Sequence, residues 1–202
     1  MTIQKLISIT TLALLISVVA GCEKNQPGQG QTQAMDEKDH QKMSAVDSQR
    51  QSGQVLVAVM TPTAGNEAHG SVTFTGTDDG IMVTANIAGL TPGVHAIHIH
   101  QFGDLRKNDG KGTGGHYNPE GHDHALPESD TRHAGDLGNL TAGADGNSSY
   151  SILIHNVTFD GQHNPIIGRG VIIHAKADDG GQPTGNAGAR VSQGTIGYAN
   201  PG

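Results

Sequence analysis

Between residues 53 and 199, apolar side chains return at alternate positions in short runs cut by glycine, proline and aspartate. Val55, Val57 and Val59 alternate with Leu56, Ala58 and Met60, and Ser71-Val72-Thr73-Phe74-Thr75 follows before the turn residues Asp78-Asp79-Gly80. Successive side chains of an extended chain point to opposite faces, so a period of two specifies strands rather than helices. Further strands are expected at 81–87, 94–100, 149–157, 170–176 and 194–199, with a short one near 137–142. Thirty glycines and an aromatic content of 3% suit tight turns, not a helical bundle. Short strands at this spacing build an all-β sandwich or barrel. Two stretches stand apart, 102–148 and 177–192, and long loops inside a compact domain tend to carry function.

The N-terminal segment has a different character. Lys5 gives a short positive end, residues 6–20 are apolar with small polar interruptions, and Val19-Ala20-Gly21-Cys22 closes the run. This is short for a membrane span and has the length of a signal-peptide core. Small residues before a lone cysteine resemble a bacterial lipoprotein processing site. The resemblance implies a signal peptide over 1–21, acylation of Cys22 and export; the alternative is a plain signal peptide with an incidental cysteine. Two or more acyl chains hold a protein stably at a lipid membrane, so the expectation is an anchored protein of the cell envelope facing the periplasm. Residues 22–52 are rich in Gln, Asp, Glu, Lys, Gly and Ser, the composition of a flexible tether. One folded domain is then expected over 53–202. Cys22 is the sole cysteine, so that domain has no internal disulfide. A formal charge of -7 without a dense run of Lys or Arg offers nothing to a nucleic-acid partner.

Twelve histidines are the anomaly of the composition. His98-Ile99-His100 lies on an expected strand, which puts both imidazoles on one face and Ile97 and Ile99 on the other. The isoleucines belong in the core, leaving the histidines outside it under a loop. His174 repeats the pattern, with Ile172 on its side and Val171 and Ile173 opposite. Three imidazoles on adjacent strands can hold copper or zinc. The long loop adds His116, His124, His133 and Asp136, and histidines with one carboxylate can make a tetrahedral zinc site. These residues alone allow either a metal site or an incidental histidine-rich loop.

Five segments in order, "HIHQFGD" at 98–104, "GGHYNP" at 114–119, "RHAGDLGNLTA" at 132–142, "IIGRGVIIHAKADD" at 166–179 and "GNAGARV" at 185–191, closely resemble the copper/zinc superoxide dismutase family. The resemblance implies an eight-stranded Greek-key β-barrel, an immunoglobulin-like sandwich, with its metal centre outside the wall beneath two long functional loops. It places copper on His98, His100, His116 and His174, and zinc on His116, His124, His133 and Asp136, with His116 bridging as an imidazolate. It makes Asp178 the carboxylate linking a copper histidine to a zinc histidine, Arg190 the cation that attracts superoxide, and Thr184 a residue narrowing the channel. His122 falls outside the family spacing and is assigned to the loop surface. The implied reaction is dismutation of superoxide to dioxygen and hydrogen peroxide, with His116 carrying a proton. Family members are often homodimers. They also tie the first long loop to the last strand by a disulfide, whose places here are the 108–111 region and Gln193, without cysteine. That departure motivates the alternative of a non-enzymatic copper-binding or copper-delivery protein.

Overall fold

The computed structural model of the protein describes residues 51–202, so the leader, Cys22 and the tether up to residue 50 lie outside the described residues. Gln51, the first described residue, is buried, and its Oε1 accepts the Phe159 backbone N–H at 2.6 Å. Eight strands follow: β1 (Val55–Pro62), β2 (His69–Thr77), β3 (Gly80–Ala88), β4 (Gly93–His100), β5 (Asp136–Ala142), β6 (Ser148–Ile154), β7 (Gly170–His174) and β8 (Arg190–Tyr198). They pair antiparallel in the order β5-β4-β7-β8-β1-β2-β3-β6. The chain crosses between the two halves of this sheet after β3, after β5 and again after β6, which is a Greek-key path. At the open seam the Tyr150 hydroxyl of β6 donates to the Leu137 carbonyl of β5, so the sheet curls into a nearly closed barrel.

The alternating pattern decides what fills the barrel. Leu56, Ala58 and Met60 of β1 point inward, as do Val72 and Phe74 of β2 and Val83 and Ala85 of β3. From the other half come Ile97, Ile99, Val171 and Ile173. Each large aliphatic side chain so buried contributes about 1.5–3 kcal/mol.

The expected strands are present, with shifted ends. β6 stops at Ile154, not 157, because Thr158 bridges to Pro165 and carries Val157 and Phe159 into the core from a turn. β7 ends at His174, where its pairing with β8 slips register. β8 begins at Arg190, not 194, because its polar start pairs with Pro62 and Thr61 on one side and with β7 on the other. Ladder partners outweigh the weak strand propensity of Arg-Val-Ser-Gln there.

Candidate metal centre

Strand alternation positions the site. On β4, Ile97 and Ile99 fill the core, so His98 and His100 emerge on the outer face. On neighbouring β7, Val171 and Ile173 point inward and His174 lies on the other side. His116 arrives from the long loop, where the Tyr117 N–H donates to the Ile99 carbonyl and the Gly135 N–H donates to the Tyr117 carbonyl. A Cβ added to Gly135 would stand 2.2 Å from the Ile99 carbonyl oxygen, so only glycine lets the loop seat this closely. The stitching brings His116, His133 and Asp136 over the outer wall.

Ligand-competent atoms of His98, His100, His116 and His174 lie within 4.8 Å of one another, and so do those of His116, His124, His133 and Asp136. All seven residues are buried, and His116 belongs to both groups. His98 Nδ1, His100 Nε2, His116 Nε2 and His174 Nε2 have no hydrogen-bond partner. Leaving a buried polar atom bare costs about 1–3 kcal/mol, whereas converging imidazole nitrogens suit a copper or zinc ion. The remaining nitrogens of the three strand histidines face acceptors: His98 Nε2 meets Asp178 Oδ2 at 2.9 Å, His100 Nδ1 the Gly114 carbonyl at 3.0 Å, and His174 Nδ1 the Gly188 carbonyl at 3.4 Å. An acceptor there holds the ring proton and leaves the opposite lone pair for an ion.

Asp136 gathers the second group. Its Oδ1 lies 2.9 Å from His116 Nδ1 and 3.3 Å from His133 Nδ1, and its Oδ2 lies 2.9 Å from His124 Nδ1. The His124 contact lacks hydrogen-bond geometry, and His133 Nδ1 approaches His116 Nδ1 to 3.4 Å. Three imidazoles closed on one carboxylate fit a tetrahedral zinc site.

Asp178 joins the two groups, with Oδ2 on His98 Nε2 and Oδ1 on His124 Nε2, both at 2.9 Å. Gly185 covers it in a left-handed conformation, φ +71°, where a Cβ would meet Asp178 Oδ1 at 2.0 Å. Three supporting residues went unmarked in the sequence reading. The Asn139 amide pairs with the Asp178 backbone in both directions, at 2.9 and 2.7 Å. Gln182 does the same for the His124 backbone, at 3.1 and 2.7 Å. Buried His95 sets Nδ1 2.8 Å from the His174 carbonyl. An asparagine inside a strand, where that residue is depleted, was the one available signal for Asn139.

Burial dominates the electrostatics. Loss of hydration pushes His98 down from 6.5 to about 4, against the opposing hydrogen bond to Asp178, and His174 down to about 3. It also takes His100 well below the ordinary histidine range. Burial raises Asp136 and Asp178, but the imidazoles bonded to each, with the Gly180 N–H at Asp178, more than offset it and hold both carboxyls below the usual carboxylate range. The strand imidazoles are therefore neutral and the carboxylates ionised near neutral pH, the states that ligate metal.

Arg190 stands at the start of β8. Its Nη1 donates to the Gly110 carbonyl at 2.6 Å and to Thr113 Oγ1 at 3.0 Å, and its Nη2 to the Gly114 carbonyl at 2.7 Å. Coulombic coupling to His100 and His174 lowers the pKa of both, so its charge reaches the four-nitrogen group. Thr184 is exposed on the loop before Gly185. His122 lies in neither group; its Nδ1 faces the Arg132 carbonyl at 3.1 Å.

The family description "Copper/zinc superoxide dismutase (SODC)" matches residues 68–196 of this chain. The fold is similar to the crystal structure described as "Crystal Structure Analysis of the clock protein EA4", with a TM-score of 0.66 and 38% identity. That match covers 73% of this chain and 96% of the other.

Proposed function

This chain belongs to the copper/zinc superoxide dismutase family, and we infer from its two intact ligand groups that it converts superoxide to dioxygen and hydrogen peroxide. The observation that carries the reading is the pair of buried groups sharing His116, one of four imidazoles and one of three imidazoles and a carboxylate. When bound, copper would be held by His98, His100, His116 and His174 and would supply the one-electron exchange that turns two superoxide anions and two protons into dioxygen and hydrogen peroxide, and His116, His124, His133 and Asp136 would hold a redox-inert zinc.

The protein's own groups do the rest. His116 turns Nδ1 toward Asp136 and keeps Nε2 unpaired on the other side, so one ring would serve both ligand groups and Nε2 could take up and return a proton. Asp178 holds His98 and His124 in the tautomers that leave their Nδ1 atoms free for ions. Arg190, itself partly buried, places a fixed cation near the copper group, where reduced contact with water strengthens its pull on an anion. The family resemblance gives Thr184, exposed on the loop before Gly185, the role of narrowing the channel. Purified domain should carry one copper and one zinc and consume superoxide; stoichiometric copper with no more activity than free copper would favour the copper-delivery reading instead.

The leader pattern supports a lipoprotein form anchored through Cys22 in the cell envelope and facing the periplasm. Fractionation tests it: Cys22→Ser should move the protein from membrane to soluble fractions, and an unchanged distribution rejects the anchor. A homodimer is the proposed assembly, able to cover the exposed apolar side chains of Val59 and Phe102. Light scattering of the purified domain measures it directly.

A further inference from the structure

The loop over residues 104–114 supplies the carbonyls that hold Arg190, yet no disulfide ties that loop to β8, because the only cysteine is Cys22. The turn after β1 takes over the connection. The Thr63 hydroxyl donates to the Arg190 carbonyl at 2.6 Å, and the Thr63 N–H to the Val191 carbonyl at 3.2 Å. One residue on, the Ala64 N–H donates to the Asn108 carbonyl at 2.7 Å, so adjacent residues grip strand and loop together. The Asn66 amide donates to Thr63 Oγ1 at 2.9 Å and fixes that hydroxyl's direction. From β8 itself, the buried Gln193 side chain reaches the Lys107 carbonyl at 3.4 Å. Thr63 and Gln193 are both at least nineteen-twentieths buried, so water competes little for these bonds.

We propose that Thr63 and Gln193 are positioning residues for Arg190, forming a non-covalent clasp that holds the 104–114 loop on β8 and so fixes where the guanidinium stands beside the copper ligands. The loop and the strand approach each other through Arg190 itself: a Cβ on Gly110 would lie 3.0 Å from Arg190 Cδ. Shifting the loop therefore moves Gly110 and Gly114 and with them both ends of the guanidinium fork. Thr63→Val and Gln193→Met keep side-chain volume while removing the hydroxyl and amide. The proposal rests on the reading that Arg190 attracts the anion.

Azide is the probe, titrated into metal-loaded protein by its effect on the copper absorption spectrum, in wild type, Thr63→Val/Gln193→Met, Arg190→Ala and the triple variant. The double variant should keep both metals and bind azide roughly 3- to 10-fold more weakly, the scale of one or two lost hydrogen bonds. In the Arg190→Ala background the same two changes should have no further effect. Amide exchange at Gly110 and Gly114 should rise in the double variant and in each single variant, a readout available even if the double variant folds poorly. Unchanged azide affinity and exchange, or an equal loss of affinity without Arg190, would overturn the clasp. If Arg190→Ala itself binds azide like wild type, the steering role fails and the clasp's purpose fails with it.

Discussion

Asn139 shows how a residue that touches no ligand atom can govern a metal centre. Its amide satisfies both backbone groups of Asp178, and the Asp178 carboxylate in turn orients one histidine of each ligand group. Asn139→Leu keeps the volume and removes both bonds, so affinity for both metals should fall about 10- to 100-fold; competition against a chelator measures it, and unchanged affinities would show that Gly185 and the loop suffice. A second pair of substitutions separates ligand from bystander. His98→Ala should lose copper and activity, while His122→Ala, which removes a ring facing the Arg132 carbonyl and Glu120 outside both ligand groups, should change neither. Metal analysis decides, and equal copper loss in both would contradict the division. These residues differed in legibility. His98 and His100 stood out because a strict alternation with Ile97 and Ile99 puts them on one face. Asn139, Gln182 and His95 act through backbone contacts spanning 39 to 79 positions, which no local pattern reveals.

At the level of elements, β4 and β7 place titratable rings in the wall of a dry barrel, and this makes the metal-free fold acid-sensitive. His98 titrates near 4 and His174 near 3 in the folded protein, against 6.5 ordinarily. The unfolded chain then binds protons more readily, so stability is fully present above about pH 6.5 and is lost as pH falls toward 3. Asp136 and Asp178, with lowered values, extend the loss in the same direction below the ordinary 3.8. Denaturant midpoints of chelated protein should fall steadily across that window; a flat profile would place these rings in contact with water. The strand centres were readable from periodicity, whereas their ends were not. β8 reaches back to Arg190 because β1 and β7 complete its ladder, and β6 stops where Thr158 finds Pro165. Such boundaries depend on partners far along the chain.

For the whole molecule, substrate capture is set by a net charge of -7 combined with a cation held near the copper ligands. Capture of superoxide opposes the global field and uses the local one, so Arg190→Ala should lower the second-order rate without releasing metal and flatten its dependence on ionic strength. An unchanged rate and salt slope would remove Arg190 from substrate capture. Ions that bind only the native fold also stabilise it by mass action, linking the barrel's persistence to the occupancy of its outer wall. The barrel, the ligands and the reaction were legible because five sequence segments recur in family order; the replacement for the family's disulfide was not, since the Thr63 turn meets Arg190 across 127 positions. If copper on His98, His100, His116 and His174 is the redox element of the dismutase, turnover must follow copper occupancy. The most direct measurement is superoxide decay by the same protein sample before copper removal, after it, and after restoring either ion. Activity should disappear with copper, return in proportion to copper occupancy, and stay absent when only zinc is restored. Activity that survives copper removal, or fails to return at full occupancy, would contradict it.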